Sequence, residues 1–260
     1  MDLKALVRRK RAEFQSFVRP YSAAVCGADD NGYYVFGATG FFLQLRRGLV
    51  LVTAEHVIRA IPGGPRAVLE GKTIEAHGLP KFATDSLQLP RHLADFASIA
   101  LSDEESIGVP SESKVPLACL RPNSDPSLRG PYLALGYHEP NQEMDRANKK
   151  FTIKQTSVLL REGKAAFYVS LRRDPAKQLL LGGKPSLIVA PRGRGGVPNF
   201  HGMSGSPIWR FDPTVPLTQA THPPLVAMLV SQPNNSRKII QCDRIEVLTR
   251  HLAIAHPDLH

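Results

Sequence analysis

Proline and glycine interrupt this chain so often that little room is left for long helices: 22 Pro and 20 Gly fall among 260 residues. Proline removes a backbone donor and glycine loosens the backbone, so the runs between them are short. Many of these runs are rich in aromatic and branched residues. Segments 33–45 (YYVFGATGFFLQL) and 48–53 (GLVLVT) predict a hairpin that turns at Arg46-Arg47. Further strands are expected at 66–69, 73–77, 96–101, 131–136, 151–160, 165–171, 178–181, 186–190, 207–211, 225–231 and 238–241. About a dozen short strands point to an all-β sandwich or barrel. Helices are expected only near the ends. Residues 3–18 carry Leu3, Leu6, Val7, Phe14 and Phe17 at roughly helical spacing and stop before Pro20. From Asp243 to Ala255, residues Ile245, Leu248, Leu252 and Ala255 share one face. The stretch 102–130 is polar and reads as a crossover between two halves.

Charge narrows the choice of partner less than it first suggests. The formal net charge is +10, enough to attract polyanions. The basic residues are not gathered into one stripe, however; the densest runs are Arg8-Arg9-Lys10-Arg11 and Arg192-Gly193-Arg194. A solvated basic surface is the favoured reading, with nucleic acid kept as an alternative. Cys26, Cys119 and Cys242 are scattered, odd in number and without a CxxC pair, so neither a disulfide framework nor a zinc site is expected. Scattered thiols fit a reducing compartment. The N-terminus lacks a signal-like apolar core, and no stretch reaches membrane-spanning length. The expectation is a cytoplasmic protein with no metal, no cofactor and no membrane partner.

Three local features carry chemistry. Thr53-Ala54-Glu55-His56-Val57 follows an apolar strand, and Asp95 opens the apolar run Phe96 to Leu101. The third, His201-Gly202-Met203-Ser204-Gly205-Ser206-Pro207, is a glycine-flanked serine before another strand. A serine hydroxyl is a poor nucleophile unless a base takes its proton and an acid holds that base in one tautomer. Glycines beside Ser204 let the backbone turn so that the hydroxyl projects. They also let the N–H groups of Gly202 and Ser204 converge as an oxyanion hole, where each donor contributes about 3 kcal/mol to transition-state stabilisation. Each feature also has a plain structural reading. His56 taken alone is a hydrogen-bonded residue at a strand end, Asp95 a strand cap or a partner for Arg91, and Ser204 a turn residue. Asp85 is the rival acid, but no apolar strand follows it.

Read together, TAEHV, ADFASIAL and GMSGSP resemble the three signatures of the chymotrypsin-like (trypsin-like) serine peptidases, in the chain order His, Asp, Ser. The resemblance implies two six-stranded antiparallel β-barrels with short helices at either end. The divisions it suggests are 1–20 for the amphipathic helix, 21–120 for the first barrel with His56 and Asp95, and 121–260 for the second with Ser204. Carried over, it implies that Ser204 attacks a carbonyl, His56 acts as base and then acid, and Asp95 orients His56. The backbone of Gly202, Met203 and Ser204 would bind the oxyanion.

The chain departs from secreted members where an acid normally precedes the nucleophile. Met203 stands there, so activation through a newly cut N-terminus is not expected, and the match is nearer to intracellular or bacterial members. The specificity pocket is expected to involve Pro198, Asn199, His201, Val230, Ser231 and Gln232. No acid stands among them, which favours an uncharged side chain at the cleaved position. The expected activity is a serine endopeptidase acting on a protein or peptide, restrained by a regulatory protein partner. A silent protease-fold module binding an acidic protein or nucleic acid is the alternative, and an esterase would use the same three residues.

Overall fold

The computed structural model describes residues 3–69, 72–89, 94–121, 131–138, 143–145, 150–152, 155–162, 186–191, 200–215, 222–231 and 240–259. The strands expected at 165–171 and 178–181 lie outside them. Helix α1 (Leu3–Val18) ends in a 3-10 turn containing Pro20, as the proline requires. Its inner face buries Phe14 and Val18. Phe14 meets Phe211 edge-on with ring centroids 5.2 Å apart, and Gln15 donates to the Ser157 hydroxyl. Arg8 and Arg9 stay exposed on the outer face.

The first half builds one sheet. Its strands are β1 (Ala23–Ala28), β2 (Tyr34–Gln44), β3 (Leu49–Ala54), β4 (Arg66–Leu69), β5 (Lys72–Glu75), β6 (Lys81–Phe82), β7 (Phe96–Ala100) and β8 (Lys114–Pro116). The hairpin expected at Arg46-Arg47 is β2–β3, in register from Gly40↔Thr53 to Gln44↔Leu49 and closed by Leu45 N–H to the Gly48 carbonyl. All six residues of β3 are buried, so its apolar run needs no polar alternation. Three short helices interrupt this half: α2 (Glu55–Ala60), α3 (Ala83–Leu87) and α4 (Asp103–Gly108). The last falls inside the stretch read as crossover loop. Its capping box, with Ser102 Oγ accepting from Glu105 N–H and the Glu105 carboxylate accepting from Ser102 N–H, was written in the sequence as Ser-x-x-Glu.

The second half contains β9 (Tyr132–Tyr137), β12 (Gln155–Glu162), β13 (Ser186–Pro191), β14 (Pro207–Arg210), β15 (Leu225–Ser231) and β16 (Ile240–Arg244). Successive antiparallel ladders join these six into a ring, β12-β13-β16-β15-β14-β9. Between β9 and β12 lies a separate pair, β10 (Glu143–Asp145) with β11 (Lys150–Thr152). The expectation of two six-stranded barrels is therefore met differently in the two halves. The first sheet has eight strands on the path β5-β4-β1-β2-β3-β7-β6, with β8 parallel to β2, and no ladder among the described residues joins its two ends. Its end strands are short, β6 having only two residues, which limits the pairing they can offer.

Helix α5 (Ile245–Ala255) follows β16 and returns the chain to the first half. It buries Ile245, Val247, Leu248, His251 and Leu252, whereas Ala255 is only half-buried. A polar chain fixes the contact. The Ser86 hydroxyl lies 2.7 Å from His251 Nδ1, and Ser98 Oγ lies 2.7 Å from His251 Nε2 and 2.8 Å from His256 Nε2. The single proton of the Ser98 hydroxyl can go to only one of the two rings, and burial disfavours the charged form of both histidines. All three cysteines are free and buried, and burial pushes the thiols of Cys26 and Cys119 up to about 12. Among the described residues no helix is long and apolar enough to cross a membrane.

Burial, and secondarily the neighbouring His256, lowers the His251 pKa from 6.5 to about 4. Burial also lowers that of His256, with Lys81 adding to the effect. The unfolded chain therefore binds more protons than the native one between these limits, and stability rises with pH across that window. Unfolding free energy should lose roughly 3 kcal/mol through His251 as pH falls from about 6.5 to 4, then level off. Urea unfolding of wild type and His251→Gln across that range checks this. The two slopes should differ within the window and agree above it.

Candidate active site

Strand β3 delivers His56 by ending directly in α2. The N-cap of that helix is Ala54, which has no side-chain oxygen to satisfy the first-turn donors. Asp95, just before β7, fills the role from the neighbouring strand, where Phe96 pairs with Ala54. Its Oδ1 accepts from His56 N–H at 2.9 Å, and its main-chain carbonyl accepts from Glu55 N–H at 3.1 Å. The other carboxylate oxygen, Oδ2, lies 2.5 Å from His56 Nδ1. A carboxylate at that distance assigns the proton to Nδ1 and leaves Nε2 as the acceptor. The acid side chain is 7% exposed and the imidazole 36%, so the ring is held from its protected side and open on the other.

Buried Glu55 locks the orientation of α2. It accepts from Arg59 Nε at 2.8 Å and from Thr84 Oγ1 at 3.0 and 2.9 Å, while the Arg59 guanidinium stacks 4.0 Å over the Phe82 ring. Asp85, the rival acid, is exposed in the first turn of α3 and is contacted by the Thr84 hydroxyl at 3.4 Å. The carboxylate that meets His56 is that of Asp95.

The serine loop precedes β14. Gly202 and Gly205 have φ of +83° and +87°, a region that disfavours side chains. Met203 turns inward and packs with Phe200, Ile208 and Val226, which gives an apolar side chain a place where an acid would need a partner. The N–H groups of Met203, Gly205 and Ser206 donate to the carbonyls of Phe200, Leu229 and Met203 at 3.0, 2.8 and 3.0 Å. Those of Gly202 and Ser204 make no hydrogen bond among the described residues. The Ser204 hydroxyl, half-buried, donates to the Val230 carbonyl on β15 at 3.0 Å. Val230, named from the sequence for the pocket, thus lies beside the serine through its main-chain carbonyl. His201 is exposed next to the loop, and Ser231 ends β15. Pro198, Asn199 and Gln232 lie outside the described residues.

Thr39 on β2 was not singled out from the sequence, yet it carries the join between the loop and the first sheet. Its N–H donates to the Ser204 carbonyl at 2.9 Å and its hydroxyl to the Gly202 carbonyl at 3.0 Å. The same hydroxyl accepts from Tyr137 N–H at 2.8 Å, and the Thr39 carbonyl accepts from the Thr53 hydroxyl at 2.7 Å. A Cβ on Gly205 would lie 2.0 Å from the Thr39 carbonyl oxygen, so only glycine lets the two backbones approach this closely. No short motif could have revealed this role of Thr39, because the partners of its hydroxyl are 98 and 163 residues away.

The chain is similar in structure to GrC, with a TM-score of 0.55 and 15% identity over 89% of this chain and 91% of that one. It is also similar to the protease Anisep from Arthrobacter nicotinovorans, with a TM-score of 0.50 and 12% identity over 91% and 96% of the two chains. Its fold is that of the chymotrypsin-like serine proteases. No protein-family profile and no curated protein sequence matches the chain.

Thr39→Val keeps the shape of residue 39 but removes the hydroxyl. Tyr137 N–H and the Gly202 carbonyl then lose a buried partner, at a cost of about 1–3 kcal/mol. The unfolding free energy of the variant, from urea titration, should be lower than that of wild type by that amount. Thr39→Ser, which restores the oxygen, should recover most of the loss.

Proposed function

We propose that the protein is a serine endopeptidase in which Ser204 is the nucleophile, His56 the general base and acid, and Asp95 the residue that orients His56. The observation that carries this reading is the pairing of His56 Nδ1 with a nearly buried Asp95 carboxylate, 2.5 Å apart, at a ring whose other side is open. The two unengaged N–H groups at Gly202 and Ser204, alternating with engaged ones, support an oxyanion site beside the hydroxyl.

The Ser204 proton passes to His56 Nε2 as Oγ bonds to the substrate carbonyl carbon. The negative charge that develops on the carbonyl oxygen is met by the N–H groups of Gly202 and Ser204. His56 then gives its proton to the departing amine as the C–N bond breaks, leaving an acyl group on Oγ. Water attacks that ester with His56 again as base, and the acid product leaves with Ser204 restored. Asp95 stays ionised throughout and stabilises the imidazolium.

At rest the hydroxyl is turned to the Val230 carbonyl, so rotation about the Ser204 side chain must precede the first step. Control by a protein partner belongs to the same proposal, because an unrestrained peptidase would cut the proteins around it. The substrate is a protein or peptide with an uncharged residue at the cleaved position, since none of the proposed pocket residues is acidic.

A fluorophosphonate probe tests the reading directly, because it reacts only with an activated serine. Wild type should be labelled, Ser204→Ala and His56→Ala should not, and Asp95→Asn should be slower by on the order of 10³-fold or more. A folded wild-type protein that resists the probe both alone and in a cell lysate, where an activating partner is present, would favour a silent binding module.

A further inference from the structure

Behind the His56–Asp95 pair lies a second acid that the reaction above does not use. Asp243 on β16 is 1% exposed, and its Oδ2 accepts from the main-chain N–H of Asp95 at 2.7 Å. Its Oδ1 is buried and makes no hydrogen bond among the described residues. The titratable groups set against it are the Asp95 carboxylate and the adjacent Cys242 thiol. A buried carboxylate with one hydrogen bond and a like charge for a neighbour would be strongly disfavoured. A neutral carboxylic acid fits the same place, because its carbonyl oxygen can still accept the Asp95 N–H.

Resting on the peptidase reading, we infer that Asp243 is a positioning residue which, as a neutral acid, holds Asp95 and through it His56 in place from the opposite half of the protein. Burial pushes the Asp243 carboxyl well above the usual carboxylate range, and the Asp95 charge adds to this. The placement gives the contact its purpose. β16 pairs with β15, in register Leu229↔Cys242 and Ser231↔Gln241, and β15 carries the Val230 carbonyl that holds Ser204. One strand pair, with a register shift at Val230, therefore meets the nucleophile at one point and the orienting acid at another. Were Asp243 ionised, it would put a second negative charge beside Asp95. As the neutral form it supplies the hydrogen bond alone.

Asp243→Asn keeps a neutral side chain with a carbonyl oxygen, and Asp243→Ala removes the acceptor. Labelling by the fluorophosphonate probe at neutral pH should stay within about threefold of wild type in Asp243→Asn and fall by roughly tenfold or more in Asp243→Ala. Proton NMR adds a readout that a purely structural role would not move. The deshielded His56 Nδ1 proton of the short bond to Asp95 should persist in the Asn variant and be lost or shifted in the Ala variant. Folded Asp243→Ala with wild-type labelling and an unmoved resonance overturns the inference, as does Asp243→Asn that is as slow as Asp243→Ala. If Asp243→Ala fails to fold, the Asn variant decides alone: wild-type-like behaviour supports the neutral role, and loss of rate or resonance overturns it. A wild-type protein that is labelled neither alone nor in a cell lysate sinks the peptidase reading instead, and the His56 resonance in the variants still decides what Asp243 does.

Discussion

The first sheet and the serine loop meet at Thr39, and the geometry of the candidate site depends on that meeting. The loop has two glycines at positive φ and few side chains of its own to hold it. Its shape is set from outside, where Thr39 holds the carbonyls of Ser204 and Gly202 by main-chain and side-chain donors. Each carbonyl so held orients its peptide plane. The close approach at Gly205 leaves no space for adjustment. A loop fixed in this way can leave the N–H groups of Gly202 and Ser204 unengaged without collapsing onto them, because neighbouring amides and carbonyls are already committed.

A similar logic runs in the opposite direction. Asp95 belongs to the first half, but its main-chain N–H is held by Asp243 of the second. The helix carrying His56 starts with an alanine at its cap, and the Asp95 carboxylate completes it. The same residue thus stabilises the start of α2 and sets the tautomer of the ring that α2 presents. Local helix capping and the chemistry proposed for the site draw on one carboxylate, so displacing it would disturb both.

The contacts between the halves are hydrogen-bonded as well as apolar. α5 leaves the ring of strands and buries His251 against Ser86 and Ser98 of the first half. α1 buries Phe14 against Phe211 of the second half. Chain ends that cross in this way resist separation of the halves, and a candidate site assembled from both requires that resistance. The buried histidines make this packing sensitive to acid, since taking up a proton would place a charge in a buried site next to a second histidine and near Lys81.

The sequence by itself determined the β-rich class, the β2–β3 hairpin, the terminal helices and the three residues around which the site is read. Each is written in a short window: an apolar run broken by Arg46-Arg47, a histidine after a strand, an acid before one, and a serine between glycines. The short helices were legible only in part. α4 had a capping box in plain view, whereas α2 takes its cap from Asp95, 39 residues away from His56. Only the tertiary structure decided that the first sheet stays open among the described residues, that the Ser204 hydroxyl rests on Val230, and that Thr39 and Asp243 support the site. The physical reason is separation along the chain. The Thr39–Gly202 and Asp243–Asp95 bonds join residues 163 and 148 positions apart, and a threonine or aspartate carries no local mark of the distant amide or carbonyl it will meet.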